Sequence, residues 1–306
     1  NSHDKGTSAF FQCLARVMVM NQQITNMEVL EVKKFYLSVL ALSLSLLTFV
    51  APSTAKQPPS WEEETTLTKK EINRIVDDIG LTEEELANFP DDVLKELLEN
   101  NAKKLASNSK TVREEEFMDK NTITPQVALD GGILDLNATA FSVNSDMTGY
   151  KKFYLYGSYE WSKSPKWELT DGLSIGFPVT SKWFLPMSSR GKVQQHEYRY
   201  CYRPDNNTSA KWSCSTYTTP DDWDPGVGVG SKIDLEAMPS NNAHKGYISQ
   251  YVYVEKNESG TVNVKFEYGH QTWTLGSVAF AVYPAGFAIE PASVTKVEDF
   301  GIVFRY

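Results

Sequence analysis

The sequence predicts an all-β domain, a β-sandwich or jelly roll of about nine strands, preceded by an export signal and a short charged helical segment. Three observations carry that expectation. From Ala138 onward, apolar and polar residues alternate in short runs broken by Gly, Pro, Asn and Asp. The aromatic residues, 12% of the chain, concentrate beyond residue 140, and bulky rings pack best on a pleated, half-buried surface. The same region shows no three- and four-residue apolar spacing, so helices are not expected between its strands.

The chain has 306 residues. The export signal and charged stretch leave about 180 of them for a compact core, which suits one domain. A formal charge of −9 and a pI near 5.1 argue against a protein that neutralises nucleic-acid phosphates or anionic lipid. The expected partners are neutral or cationic, with no nucleic acid and with membrane contact only during export.

Residues 32–55 read as a signal peptide. Lys33-Lys34, a leucine-rich uncharged run from Phe35 to Val50, Pro52 and then Ser53-Thr54-Ala55 supply the basic, apolar and small-residue parts, with cleavage after Ala55. The apolar run is shorter than the roughly 20 residues that a spanning helix needs. Residues 1–31 are polar and patternless and precede the basic pair at which a signal peptide begins. They read as upstream sequence translated in frame, or as a disordered lead, with Val32 or Met27 as the start. The processed protein is expected to be secreted and extracellular, or held non-covalently at a surface.

Residues 56–120 form a charged helical segment and linker, with 10 Lys or Arg against 17 Asp or Glu. Thr68 can cap a helix carrying Ile72, Ile75, Val76 and Ile79 on one face, with Gly80 as its stop. Thr82 and Glu85 form a capping box. Pro90 can open a third helix whose stripe runs through Val93, Leu94, Leu97, Leu98, Ala102 and Leu105. Such short helices are marginal alone. They are expected to pack on the β domain or on one another, the other reading being a propeptide or docking arm. Lys103 to Lys120, rich in Ser, Asn and Glu, reads as a solvated linker.

Residues 121–306 form the aromatic β domain. Strands are expected at about Ala138 to Val143, Lys152 to Trp161, Leu173 to Phe177, Val193 to Tyr202, Ser213 to Thr218, Tyr247 to Glu255, Thr261 to Tyr268, Trp273 to Tyr283 and Gly301 to Tyr306. The clearest hairpin pairs Tyr251–Val254 with Val262–Phe266 across Lys256–Gly260. Cys201 and Cys214 flank a run of turn formers, Arg203 to Thr208, and are expected to form a disulfide. Tyr159-Glu160-Trp161-Ser162-Lys163-Ser164-Pro165-Lys166-Trp167-Glu168-Leu169-Thr170-Asp171-Gly172-Leu173-Ser174-Ile175-Gly176-Phe177, with the leader and the Glu-rich Leu81 to Leu98 stretch, resembles uncharacterised secreted proteins of Gram-positive bacteria. That resemblance implies class and location and no activity.

Several residues are candidates for binding. Tyr198, Tyr200 and Tyr202 alternate with Arg199, Cys201 and Arg203, so one face is aromatic and the other charged. The aromatic face is either a platform for sugar rings, with Arg199, Arg203 and Glu197 as polar neighbours, or the sandwich core, with the charges on a solvated face. Trp161, Trp167, Trp183, Trp212 and Trp223 lie in or beside expected loops, where large rings at one end would form a binding surface. Glu160, Glu168, Asp171, Glu197 and Glu267 are available as paired acids for glycoside hydrolysis. No serine-elbow or H-E-x-x-H pattern is present, and His196, His244 and His270 lack ligand spacing. Asp221-Asp222-Trp223-Asp224-Pro225-Gly226 is an acidic turn that could offer oxygens to calcium but is better read as solvated. Gly226 to Gly230 lacks the lysine and helix of a phosphate loop. No metal, cofactor or catalytic residue is assigned.

These features favour a secreted, non-catalytic β-sandwich protein that binds an extracellular surface or partner, either a cell-wall or matrix glycan or another extracellular protein. A secreted glycan hydrolase is the first alternative. A toxin or bacteriocin-like protein held inactive by residues 56–120 is the second, and self-assembly through exposed strand edges is a structural alternative.

Overall fold

The computed structural model describes residues 61, 66–114, 132–204, 209–235, 242–272, 278–283, 286–290 and 295–306, all within a compact unit that spans Pro58–Tyr306. The signal peptide 32–55, its cleavage at Ala55 and the upstream residues 1–31 lie outside the described residues. Among the described residues, no helix is long and apolar enough to cross a membrane.

The helices come first: α1 (Lys69–Arg74), which continues as a π-helical turn (Ile75–Ile79), then α2 (Glu83–Leu86) and α3 (Asp91–Glu99). Thr68 caps α1 by accepting from the Glu71 amide, while Glu71 accepts from the Thr68 amide; Thr82 and Glu85 repeat the arrangement at α2. Each cap contributes about 1 kcal/mol. Gly80 ends the π turn in the left-handed region at φ 90°, and Pro90 caps α3. The third stripe is shorter than the spacing implies. Helix α3 ends at Glu99, Asn101 turns the chain at φ 49°, and Leu105 belongs to a strand.

Fourteen strands follow among the described residues. In chain order they are β1 (Lys103–Arg113), β2 (Ile133–Val143), β3 (Tyr150–Lys163), β4 (Thr170–Gly176), β5 (His196–Pro204), β6 (Ser213–Tyr217) and β7 (Asp222–Asp224). The rest are β8 (Gly228–Asp234), β9 (Asn242–Glu255), β10 (Thr261–Gln271), β11 (Phe280–Tyr283), β12 (Gly286–Ile289), β13 (Thr295–Asp299) and β14 (Ile302–Arg305). One sheet runs β1-β2-β3-β9-β5-β6; the facing sheet runs β13-β10-β4-β8-β7, with β14 also on β10. Strands β11 and β12 pair with each other. The all-β sandwich expected from the alternating pattern is therefore the fold.

Two local expectations are corrected. The segment Lys103 to Arg113 is an edge strand, not a linker, paired with β2 from Lys103↔Ser142 to Arg113↔Ile133. Its ladder is made by backbone groups, and apart from Val112 its side chains stay exposed or half-buried, so no apolar alternation announces it. Charged side chains along such an edge also oppose pairing with another chain. The second correction concerns the expected hairpin. Strands β9 and β10 lie in different sheets, and the turn between them carries the chain across the sandwich. Alternating strands bury their apolar faces equally well facing one another across a core as side by side.

Between the sheets, Leu155, Ile248 and Val252 pack against Ile175, Val229 and Phe266 in one contiguous core. Gly157 leaves room for the Phe266 ring, since a Cβ there would lie 2.5 Å from it. A second core lies on the other face of the first sheet. There Ile75, Ile79, Leu94 and Leu97 cover Phe141, Tyr154, Tyr156, Tyr247 and Tyr251, and Phe89 stacks on Tyr156 at 4.4 Å. The structure is thus three layers, helices on sheet on sheet, and the helical segment packs on the β domain as expected.

Leu97→Ala is expected to destabilise the protein by about 2–5 kcal/mol, the range for a fully buried leucine. Far-ultraviolet circular dichroism and tryptophan fluorescence should still report a single shared denaturant transition, because the two cores have the same sheet between them.

Candidate functional site

Of the two faces of β5, the aromatic one lies on the sandwich core as one of the two expectations had it, and the charged one differs. Tyr198 and Tyr200 pack on the intersheet side, whereas Arg199 and Cys201 face the helical layer. Arg199 pairs with Asp92 of α3 and lies over the Tyr247 ring, and Glu197 accepts from the Tyr247 hydroxyl. The charged face is half-buried against the helical layer and not fully solvated, and Arg199 and Glu197 are not neighbours of the aromatic face. Arg203 lies over Trp212 at 4.5 Å on the helical side. The expected disulfide is present: Cys201 and Cys214 are opposed across β5 and β6 and bonded at 1.99 Å.

The tryptophans do not gather at one end. Trp161 is buried in the intersheet core and donates to the Tyr268 hydroxyl at 2.9 Å. Trp183 is also buried, stacked on Phe153 at 4.8 Å. Trp167, Trp212 and Trp223 are half-buried, with the Lys166 ammonium over the Trp167 ring and Trp223 packed against the core from β7. Side chains as enclosed as Trp161 and Trp183 serve the core.

What remains accessible is a tyrosine group at the β5–β6 edge. Tyr217 of β6 lies opposite Tyr198, with ring centres 5.0 Å apart and planes 15° from parallel, and lies 6.0 Å and 13° from Tyr200. Exposure rises from buried Tyr198 through half-buried Tyr200 to Tyr217 at 42%. The Tyr200 hydroxyl is pushed up to about 12 by its hydrogen bond with Tyr217, by burial and by the Asp234 carboxylate. Burial, then the charge of Asp221, raises Tyr198 as well. The Tyr198 and Tyr200 hydroxyls are therefore neutral at physiological pH and can donate. Three near-parallel rings, with Ser215, Asp221 and Asp234 beside them, offer apolar faces and hydroxyl-directed polar groups together. The alternation in β5 shows Tyr198 and Tyr200. Tyr217 joins them only through the β5–β6 register, which spacing alone does not give.

The carboxylates follow the same division between structure and surface. Asp171 and Glu114 do converge, but on the fully buried His270. His270 Nδ1 lies 3.0 Å from Asp171 Oδ2, and Nε2 lies 3.7 Å from Glu114 Oε1. Asp171 also accepts from the Tyr268 hydroxyl and the Gln271 amide. Glu114 accepts from the amides of Gly132 and Lys166 at 2.9 and 2.6 Å. Burial drives the His270 imidazolium down, but the two carboxylates outweigh it and hold it at about 9. Burial likewise raises Glu114, which His270 and the amides overcome, leaving it below the usual carboxylate range. A buried charge compensated in this way fastens β1, the start of β2, the β3–β4 connection and β10 to one another. Glu168 lies 3.7 Å from His244, and Glu267 pairs with Lys265 and accepts from the Ile289 amide.

The expected acidic turn is in part strand β7, and its carboxylates are taken up by backbone amides of this segment and of β8. Asp221, Asp222 and Asp224 accept from the amides of Lys232, Trp223 and Gly226. Among the described residues, no group of three His, Cys, Asp or Glu side chains is placed to hold a metal ion. Gly228 to Gly230 open strand β8.

No protein-family model matches the chain, and no curated protein sequence matches it. Among solved structures, similarity is found to the delta-toxin of Clostridium perfringens, at 7% identity and a TM-score of 0.26 over 67% of this chain and 93% of that one. Similarity is also found to the NetB toxin of Clostridium perfringens in its membrane-inserted form, at 9% identity and a TM-score of 0.25 over 67% of this chain and 97% of that one. Similarity at that level carries neither fold nor activity to this chain.

Two of the buried histidines, His196 and His270, act on stability with opposite signs. His270 is held charged to about 9. Its contribution is complete below its ordinary value of 6.5 and disappears as pH climbs through 9. His196, with Gln250 and Ser231 3.1 Å from its ring nitrogens, is driven by burial to about 3. Its contribution is complete above 6.5 and declines as pH falls from there toward 3. In unfolding midpoints measured from acid to alkaline pH, His270→Asn should flatten the alkaline decline and His196→Asn the acid one. Profiles parallel to the wild type would remove this assignment.

Proposed function

We propose that this chain is an exported, non-catalytic binding protein that takes a neutral, hydroxyl-rich carbohydrate at the tyrosine edge formed by Tyr198, Tyr200 and Tyr217. The observation that carries the reading is the near-parallel set of three rings at the open edge of a sheet, grading from buried to 42% exposed. A buried inner ring holds the outer ones in place, so little side-chain freedom is lost when a sugar ring settles on them. Asp221, Asp234 and Ser215 supply acceptors for sugar hydroxyls. The net charge of −9 fits a neutral glycan better than an anionic one.

Export is supported by two independent features. One is the leader-like order of Lys33-Lys34, the apolar run and Ala55. The other is the Cys201–Cys214 disulfide, a bond that persists in oxidising compartments. The converging carboxylates are enclosed around His270, so the acids that meet in this fold serve its interior.

The test is binding of the purified protein to insoluble cell wall, chitin and cellulose, with soluble oligosaccharides as competitors. Tyr217→Ala should weaken saturable binding by roughly tenfold, the effect of about 1.4 kcal/mol of lost ring contact. Because Tyr217 is 42% exposed at the end of an edge strand, the unfolding midpoint should stay close to that of the wild type. Retention on none of the three matrices, or retention indifferent to Tyr217→Ala, contradicts the proposal.

A further inference from the structure

The Cys201–Cys214 bond joins two unlike sulfurs. Cys201 is 1% exposed and lies in the core beneath the helices, whereas Cys214 is exposed. Cys214 belongs to β6, an edge strand whose one strand neighbour among the described residues is β5. The β6 side chains are exposed apart from half-buried Ser215. Besides the disulfide, this strand is held by its ladder from Tyr198↔Tyr217 to Tyr202↔Ser213 and by Arg199 Nε donating to Thr216 Oγ1 at 2.9 Å. The Tyr217 ring against Tyr198 and Tyr200 adds a third contact.

The buried sulfur has a cation beside it. Lys245 of β9 lies directly opposite Cys201 in the β5–β9 register, and the side chains of such a pair leave the same face with Cβ atoms about 5 Å apart. Lys245 shares that face with Tyr247, which packs with Cys201 in the core beneath the helices. The Lys245 ammonium lies over the Trp212 ring at 4.2 Å, and Arg203 lies over the same ring at 4.5 Å. Burial lowers Lys245 to about 8, Glu160 opposing that fall and Arg203 adding to it, so the ammonium stays mostly charged at neutral pH. A thiolate enclosed in apolar surroundings is costly, and a cation beside it offsets much of that cost. Exchange between thiols and disulfides is faster the more stable the departing thiolate. An attacking thiol therefore meets an exposed sulfur to bond with and a buried one prepared to leave.

We propose that Cys201–Cys214 is a site of thiol–disulfide exchange with an external dithiol, and that opening it releases β6 from the sheet. A thiolate of the dithiol bonds to Cys214 Sγ, the Cys201–Cys214 bond breaks, and Cys201 departs as a thiolate and takes up a proton. The dithiol's second sulfur then attacks its first, closing the dithiol's own disulfide, and Cys214 departs and is protonated in turn. The protein gains two electrons and two protons, and the dithiol is oxidised to a disulfide. Once β6 loosens, Tyr217 leaves Tyr198 and Tyr200, while both cores around β3 and β9 stay packed. The exchange does not depend on what the tyrosine edge binds, and its readouts involve no sugar.

The full chain, kept folded at neutral pH, is exposed briefly to glutathione, and free thiols are then blocked with N-ethylmaleimide. Peptide mass spectrometry assigns the adducts and counts Cys13 separately. Glutathione should be found on Cys214 and maleimide on Cys201. In dithiothreitol, the β6 amides should exchange hydrogen at least roughly tenfold faster, while Val252 in β9 keeps its protection. Lys245→Met removes the charge and keeps an unbranched side chain, and it should slow opening by glutathione roughly tenfold. The first two readouts use the unaltered chain, so they decide the proposal even where Lys245→Met does not fold. Any of four results overturns it: glutathione on Cys201, opening only at the rate of global unfolding, β6 amides as protected in dithiothreitol as without it, or a folded Lys245→Met chain that opens at the wild-type rate.

Discussion

Burial of one sheet on both of its faces is the constraint on which the rest of the molecule depends. Strands β3 and β9 lie at the centre of the sheet β1-β2-β3-β9-β5-β6, and they are enclosed on one side by the second sheet and on the other by the helices. Their residues divide by chemistry. Toward the second sheet point Leu155, Ile248, Val252 and Val254; toward the helices point Tyr154, Tyr156, Tyr247 and Tyr251. The division has a physical reason. The middle of the intersheet face is mostly aliphatic, with polar pairs such as Trp161–Tyr268 and His196–Gln250 in addition, whereas helices bring carboxylates and helix-end carbonyls that must be satisfied when covered. Tyrosine supplies ring area and a donor together: Tyr156 donates to the Asn88 carbonyl at 2.6 Å and Tyr251 to Glu96 at 2.7 Å.

The same constraint explains where charge has gone. Arg199 would be costly under the helical layer without a partner, and Asp92 of α3 supplies one. At the end of the sandwich the enclosed imidazolium of His270 is held between Asp171 and Glu114. Glu114 follows β1 directly, so this cluster closes the edge that the exposed β1 ladder leaves least covered by side chains. With both faces of the central strands committed to packing, the candidate recognition surface lies at the margin, on the β5–β6 edge with its tyrosines.

The parts of this arrangement legible in the sequence are those in which local chemistry decides the outcome. Thr82 with Glu85, Gly80 and Pro90 mark helix ends because caps act within a few residues. Each of the nine expected strands overlaps an observed one among the described residues, since alternation reports a buried face directly. Cys201 and Cys214 were legible from their spacing around a turn. What could not be read depends on pairing between distant segments. Strand β1 has no apolar alternation because backbone ladder bonds and a few half-buried side chains suffice at an edge. The crossing of β9 to β10 reads as a hairpin because the same alternation serves both. At the candidate site, Tyr198 and Tyr200 were legible as one face, but Tyr217, Asp221 and Asp234 join them only through register and loop path. Arg199, assigned beside them from its chain position, is separated from them by the thickness of the sheet.

The central claim, that the helices are an integral third layer of the fold, is tested most directly by native-state hydrogen exchange resolved to individual amides. If both faces of the sheet are needed, amides in the interior of α3, Leu97 among them, and of β9, Val252 among them, exchange through the same global opening. They then share one opening free energy and one denaturant dependence. Exchange of α3 through a separate, lower-energy opening that leaves β9 fully protected would contradict the claim, and would make the helices a detachable cover on a sandwich that stands without them.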